Sequence, residues 1–435
     1  MSAGNRRQES STQDVPKLVD HLFRHEAGKM VSYLTKLLGL NRLNLAEDIV
    51  QDALCEALQS WSIHGLPDNP SAWLMRVARN RAIDVIRRDN QFRYLIPELT
   101  YLLRLREEIP AGDPASEKQI NDDQLRMMFS CCHPELSTEA QVTLILKTLC
   151  GFSVAEIASA FLATEDSIEK RLGRARKLFR ESGTFVEVTH PSDIPGRLEA
   201  VYQAVYLLFN EGYHASQSET TIREDLCVEA LRLALLLSEH PQGAQPKTFA
   251  LLALFCFNAA RLYGRVDADG LLVQLESQDR SKWDQALIGR GFHFLEKSAS
   301  ENELGEFHLE AAIASVHSSA ETYQQTDWRR IQELYDLLYA LKPTPIVALN
   351  RAVAMAQVQG PEKGLAELEK IPDPSKLKDY LFYPAAYGEL LLVAGRPAEA
   401  EKHFERALKL THTRIEASFF ERKLEACRTA AAQIR

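Results

Sequence analysis

Apolar residues recur at i, i+3, i+4 and i+7 along almost all of the 435-residue chain. That period belongs to amphipathic helices, and runs with the two-residue alternation of strands are scarce, so an all-α protein is predicted. Three stretches interrupt the pattern. Ile96 to Asp113 carries Pro97, Pro110 and Gly112 among several acids, Gly183 to Gly196 carries Pro191 and Pro195, and Glu239 to Pro246 is polar. Clustered Gly and Pro stop helices. The first two are expected to be linkers between domains and the third a loop between two helices.

The first module, about residues 15–90, has room for three or four helices. Asn44 to Leu54 reads as an amphipathic helix capped by Asn44. Its outer face presents Glu47, Asp48, Gln51 and Asp52, either as a solvated surface or as a docking face. A polar loop from Trp61 to Pro70 precedes a helix over Ser71–Arg88, which carries Trp73, Arg76, Arg79, Asn80, Arg81, Asp84, Arg87 and Arg88. Guanidinium groups with an amide and an aromatic ring on one helix suit single-stranded nucleic acid, where cations hold phosphate and the ring stacks on a base. The alternative places Trp73 in the core.

The second module, about 118–182, carries the sharpest local signal. Ser153 followed by Glu156 forms a capping box at the start of a short helix. The tight turn Leu162-Ala163-Thr164 follows, then a helix from Glu165 to Arg180. Ile168, Leu172, Ala175 and Phe179 share an inward face of that second helix. Thr164, Ser167, Lys170, Arg171 and Arg174 are left to meet DNA. Two short helices joined this way, the second polar and basic, describe a helix-turn-helix, with an ordinary helical hairpin as the alternative. Glu165 and Asp166 open the second helix; they either accept from a cytosine N4 amine or favour the positive end of the helix dipole.

The remaining residues, 197–435, read as helical pairs. Tyr380 to Leu408 comes close to a tetratricopeptide unit, with Gly388, Ala400, Phe404 and Ala407 at packing positions and Gly395-Arg396-Pro397 as the inner turn. Pro345 to Leu368, turning at Gly360-Pro361, is a weaker copy. Surfaces of this kind bind partners in a concave groove.

Net charge is −9, which at first argues against nucleic acid. Residues 1–183, however, hold 24 Lys+Arg against 25 Asp+Glu, whereas the rest hold 27 against 35. The acidity belongs mostly to the C-terminal part, and DNA contact depends on the local field. No apolar run reaches the roughly 20 residues that span a bilayer. The seven cysteines include no C-x-x-C pair, so a reduced, cytoplasmic protein away from membranes is expected. No cofactor is called for by any motif.

Other candidates have plain alternatives. Cys131-Cys132-His133 could bind zinc, yet adjacent thiols on a helix diverge and no second ligand pair exists, so core packing is favoured. His21 and His25 share the i, i+4 spacing of a metal pair without the rest of a motif. Asn210, Glu211 and Tyr213 follow an apolar helix, and Asp279, Arg280, Trp283, Asn350 and Arg351 join them either as buried hydrogen-bonded structure or as a groove. An enzyme lacks support, because no nucleophile–base pair, phosphate loop or metal set is present. A one-component transcription regulator would leave the first module unexplained.

Taken together, the two modules resemble the extracytoplasmic-function sigma factors of bacterial RNA polymerase, in the subgroup with a C-terminal TPR-like extension. AEDIVQDAL (Ala46 to Leu54) resembles the region 2 segment that docks on the β′ coiled coil of core polymerase. PSAWLMRVARNRAIDVIRR (Pro70 to Arg88) resembles the segment that melts and reads the −10 element. GFSVAEIASAFLATEDSIEKRLGRARK (Gly151 to Lys177) resembles the region 4 reader of the −35 element, which also meets the β flap. RMMFSCCHPELS, YLLFNEGYHAS, LESQDRSKWD and TPIVALNRAVAMA carry the likeness to the extended subgroup.

The resemblance implies a disordered arm over 1–14, region 2 over 15–92, a linker over 93–117 and region 4 over 118–183. A second linker over 184–196 then leads to a helical regulatory domain over 197–435, in intramolecular contact with the sigma domains. It implies polymerase contacts at Glu47, Asp48, Gln51 and Asp52. Trp73, Arg76, Arg79, Asn80, Asp84, Arg87 and Arg88 would face the −10 element, and Thr164, Ser167, Lys170, Arg171 and Arg174 the −35 element.

Overall fold

A computed structural model describes residues 18–19, 22, 26–88, 114–181, 194–216, 222–267, 271–299 and 304–434. The arm expected over 1–14, residues 93–113 of the linker expected over 93–117, most of the second expected linker, and His21 and His25 lie outside them. The described secondary structure is helical, apart from an isolated antiparallel bridge between Val266 and Leu272. The chain divides into two compact units. One runs to Ala204 without Ser159–Leu162, and the other holds those four residues and Val205 onward.

In the first unit, helix α1 spans 26–38. Gly39, at φ 91°, turns the chain into a 3-10 turn (Leu40–Arg42) and then α2 (Leu43–His64). Asn44, expected as the cap, lies inside α2, because the 3-10 turn leads directly into the helix. Leu43, Ala46, Ile49, Val50, Ala53, Leu54, Ala57 and Trp61 form its buried stripe at the predicted spacing. Helix α3 (Pro70–Arg88) starts on Asn69, whose side chain accepts from the Ala72 amide at 3.0 Å, with Pro70 at its first position. Leu74, Ala78, Ala82 and Ile86 form its inner face.

Helix α4 (Pro114–Cys131) leads to α5 (Thr138–Leu149), which Ser137 caps. Val142, Leu144, Ile145 and Leu146 are fully enclosed, so α5 is the central helix of the unit. A Cβ on Gly28 would collide with the Leu149 carbonyl oxygen, so α1 meets the end of α5 at backbone contact. Short α6 (Val154–Ala160) and α7 (Glu165–Glu181) complete the predicted helix-turn-helix.

The division between units falls inside α8 (Leu198–Tyr213). In the second unit, α9 (Glu224–Glu239) and α10 (Pro246–Ala259) flank the expected loop. Leu251 through Phe257 are buried without a break, as in a helix packed on all sides. Phe255 stacks on Phe209 at 4.3 Å. Helices α11 (Gln285–Ser298), α12 (Glu306–Ser319), α13 (Trp328–Leu341), α14 (Pro345–Gln359), α15 (Pro361–Leu368), α16 (Phe382–Val393), α17 (Pro397–Lys409) and α18 (Arg414–Ile434) follow. Gly360 (φ 90°) and Gly395 (φ 74°) make the two predicted turns. Gly388 faces Phe404, and Ala400, Phe404 and Ala407 are fully buried, as the sequence pattern required.

Candidate polymerase and nucleic-acid interface

On α2 the expected docking face is divided. Asp48, Gln51 and Asp52 are exposed. Glu47 is not: one carboxylate oxygen accepts from Arg176 Nη2 at 2.8 Å and the other from Thr148 Oγ1 at 3.0 Å, leaving the side chain 16% exposed. Helix α7 therefore packs on α2 within the first unit. Lys36 adds a second tie, reaching Asp123 at 2.7 Å, which joins α1 to α4. Arg176 was absent from the sequence-derived sets. Its position next to buried Ala175, on the flank of the inward stripe, was the available signal.

On α3, Arg76, Asn80 and Asp84 are exposed along one side, with Arg79 half-buried. Trp73 packs edge-on against buried Trp61 at 5.4 Å, so its ring is braced by the core while remaining partly exposed. Arg81, which the sequence did not single out as a site, ties α3 to α2 through Asp52 at 2.8 Å and Glu56 at 2.7 Å. The Glu56 hydrogen bond leads the causes that hold its guanidinium above its ordinary pKa. Arg87 and Arg88 close α3, but their side chains lie outside the described residues.

The capping box is present in full. The Glu156 amide donates to Ser153 Oγ at 3.1 Å, and the Ser153 amide donates to Glu156 Oε2 at 2.7 Å. Thr164 caps α7, its hydroxyl accepting from the Ser167 amide at 3.3 Å. The inward face is as expected: Ile168, Leu172, Ala175 and Phe179 are buried. The outward face is divided. Arg171 is turned to Glu139 of α5 at 2.6 Å and is 20% exposed, because it borders the buried stripe. Lys170 is paired with Asp166 at 2.6 Å, both largely exposed, so this acid serves a helix-surface pair. Arg174 is exposed, its Nε donating to the Lys170 carbonyl.

Residues 22–92 match the model of sigma-70 region 2, and residues 126–179 that of sigma-70 region 4. ECF RNA polymerase sigma factor SigL of Mycobacterium tuberculosis is 27% identical over 164 residues, 38% of this chain and 87% of the relative. SigE of Mycolicibacterium smegmatis, also an ECF RNA polymerase sigma factor, is 25% identical over 163 residues, 37% of this chain and 60% of the relative. The chain belongs to the extracytoplasmic-function sigma factors.

This sigma factor continues well beyond the stretch those relatives cover. An uncharacterized protein of Rhizobium meliloti (strain 1021) is 38% identical over 384 residues, 88% of this chain and 90% of its own. Residues 197–299 match a family of unknown function, DUF6596. No solved structure matches significantly. Among the described residues no helix of the sigma factor is long and apolar enough to cross a membrane.

The eight C-terminal residues singled out from sequence differ in their surroundings. Arg351 bridges helices through Asp336 at 2.5 Å and Glu367 at 3.2 Å, which makes it a structural pair. Asn350 is exposed. Asp279 is exposed and caps the turn Arg280–Lys282, while Glu211 is buried and accepts from the Ser216 amide. Asn210 is exposed at the end of α8. Tyr213 lies under the Arg265 guanidinium at 3.8 Å, and Arg280 lies over Trp283 at 4.8 Å. Cys131 and Cys132 are core residues; burial pushes the Cys132 thiol up to about 12, and its Sγ donates to the Met128 carbonyl.

Proposed function

We propose that this sigma factor docks on core polymerase through Asp48, Gln51 and Asp52, joined by Glu47 once Arg176 releases it. The 61–70 loop with Trp73, Arg76, Arg79 and Asn80 then holds an extruded −10 base, and Asp84, Arg87 and Arg88 continue the contact along α3. Extrusion costs a few kcal/mol, offset by phosphate contacts and by polymerase binding. Region 4 enters the −35 major groove with α7, through Thr164, Ser167, Lys170 and Arg174, with Arg171 joining after it leaves Glu139. A bidentate arginine–guanine contact there discriminates by roughly 1–3 kcal/mol.

The observation that carries this reading is α3. Leu74, Ala78, Ala82 and Ile86 fix its inner face, so Arg76 and Asn80 stand outward beside a tryptophan braced from below. The free chain is net acidic and offers few basic contacts, so it binds DNA weakly and salt-sensitively until polymerase supplies the rest. The helical pairs after α8 act as a TPR-like regulatory domain in contact with the sigma domains, in the cytoplasm.

The test is transcription in vitro with core polymerase and the organism's own promoters. The full chain is expected to start at defined sites. Arg76→Ala should reduce promoter opening while leaving core binding intact, and Arg174→Ala should reduce only promoters with a −35 element. Absence of defined start sites with the full chain would overturn the reading.

A further inference from the structure

In the C-terminal unit, Trp283 is 3% exposed and carries two cations on one indole: Arg261 at 5.2 Å and Arg280 at 4.8 Å from the ring centroid. Arg280 is 8% exposed. Its Nη groups donate to the His317 and Ala320 carbonyls, each at 2.7 Å, and to Thr326 Oγ1 at 3.0 Å, all neutral acceptors. Arg261 makes no hydrogen bond or ion pair to any described residue, and Arg265 donates to the Tyr213 carbonyl. None of the three guanidiniums has a carboxylate within ion-pair distance among the described residues.

Other arginines of this unit are treated differently. Arg351, Arg232 and Arg396 each meet carboxylates. The second unit also belongs to the acidic part of the chain, so counter-charges are plentiful nearby in sequence and yet do not reach these three. Burial, and then repulsion from Arg261, lowers the affinity of Arg280 for its proton; burial leads for Arg265 too, with Arg261 again opposing the charge. Guanidinium stays protonated under such conditions, so the uncompensated field is a cost held in the fold.

The orphaned polar atoms of this region point the same way. Arg261 Nε, Arg280 Nε and Trp283 Nε1 are buried donors without an acceptor, and His317 Nδ1 is also unpartnered. Buried donors are ordinarily satisfied. A group that supplies several acceptor oxygens and a negative charge meets both deficits at once.

We propose that Arg261, Arg280 and Trp283, with Arg265 adding to the field, form a receptor for an oxyanion, a carboxylate or phosphate borne by a small-molecule effector. The enclosure of Trp283 and Arg280 favours a small ligand over an acidic protein surface. The site stands independently of promoter recognition, because its test reads binding alone.

The experiment is thermal unfolding of the full chain in inorganic phosphate, in citrate and in chloride at matched ionic strength, for the wild type, R261Q and the exposed control R422Q. Phosphate, citrate or both should raise the wild-type Tm above chloride, by about 3–5 °C at tenfold excess over Kd. A response to phosphate alone assigns a phosphate ligand, to citrate alone a carboxylate ligand, and to both a general oxyanion site. R261Q should lose the shift and be at least as stable as the wild type in chloride, whereas R422Q should keep it. No shift beyond chloride, an equal shift in R261Q, or an R261Q chain less stable than wild type in chloride would each overturn the proposal.

Discussion

Glu47 and Arg176, 129 residues apart, meet at 2.8 Å, and the contact places a residue of the expected polymerase-docking face against the helix expected to read DNA. If Glu47 docks on polymerase as proposed, Arg176 competes for its carboxylate. Replacing Arg176 by Gln removes the competitor, so affinity for core polymerase should rise while the free chain loses about 1–3 kcal/mol. E47Q should weaken both properties. Urea unfolding and a core-binding titration check the pair, and unchanged core affinity in R176Q would remove the competition.

Leu162 sits in the turn between α6 and α7 with φ 49°, a left-handed conformation that costs a side chain about 1–2 kcal/mol. It is 45% exposed, so little burial is lost on truncation. Leu162→Gly should raise Tm; a lower Tm would mean that the side chain, and not the backbone, holds the turn.

A Cβ at Gly388 would lie 2.6 Å from the ring of Phe404, which is fully buried. Gly388→Ala should destabilise the C-terminal unit by about 1–3 kcal/mol through overpacking. Gly388→Ala combined with Phe404→Leu should recover part of that loss, read by denaturant midpoints of the four chains.

Glu310 accepts from the Tyr206 hydroxyl at 2.9 Å, and burial pushes its carboxyl up to about 7 from an ordinary 4.5. The raised value means that folding favours the protonated form. This contribution is complete below about 4.5 and is lost as pH rises through about 7. Glu310→Gln should flatten the fall in stability across that window and exceed the wild type near pH 8. An identical pH profile in the variant would show that Glu310 does not titrate there.

Much of this architecture was legible in the chain itself. The helix periods, the Ser153/Glu156 box, the turns at Gly360 and Gly395 and the Gly388–Phe404 packing all depend on residues close in sequence or on a fixed period. Backbone geometry converts such spacings into positions without further information. The tertiary structure alone decided where long charged side chains end. Arg171 and Arg174 lie one turn apart on α7, yet one is drawn to Glu139 and the other is left exposed. Arg76 and Arg81 share α3, yet only Arg81 finds two carboxylates on α2. Arg261 and Arg280 were brought to one tryptophan from separate segments. A sequence fixes the face a side chain leaves from, but its partner depends on which element packs opposite, and that is set by the assembled core.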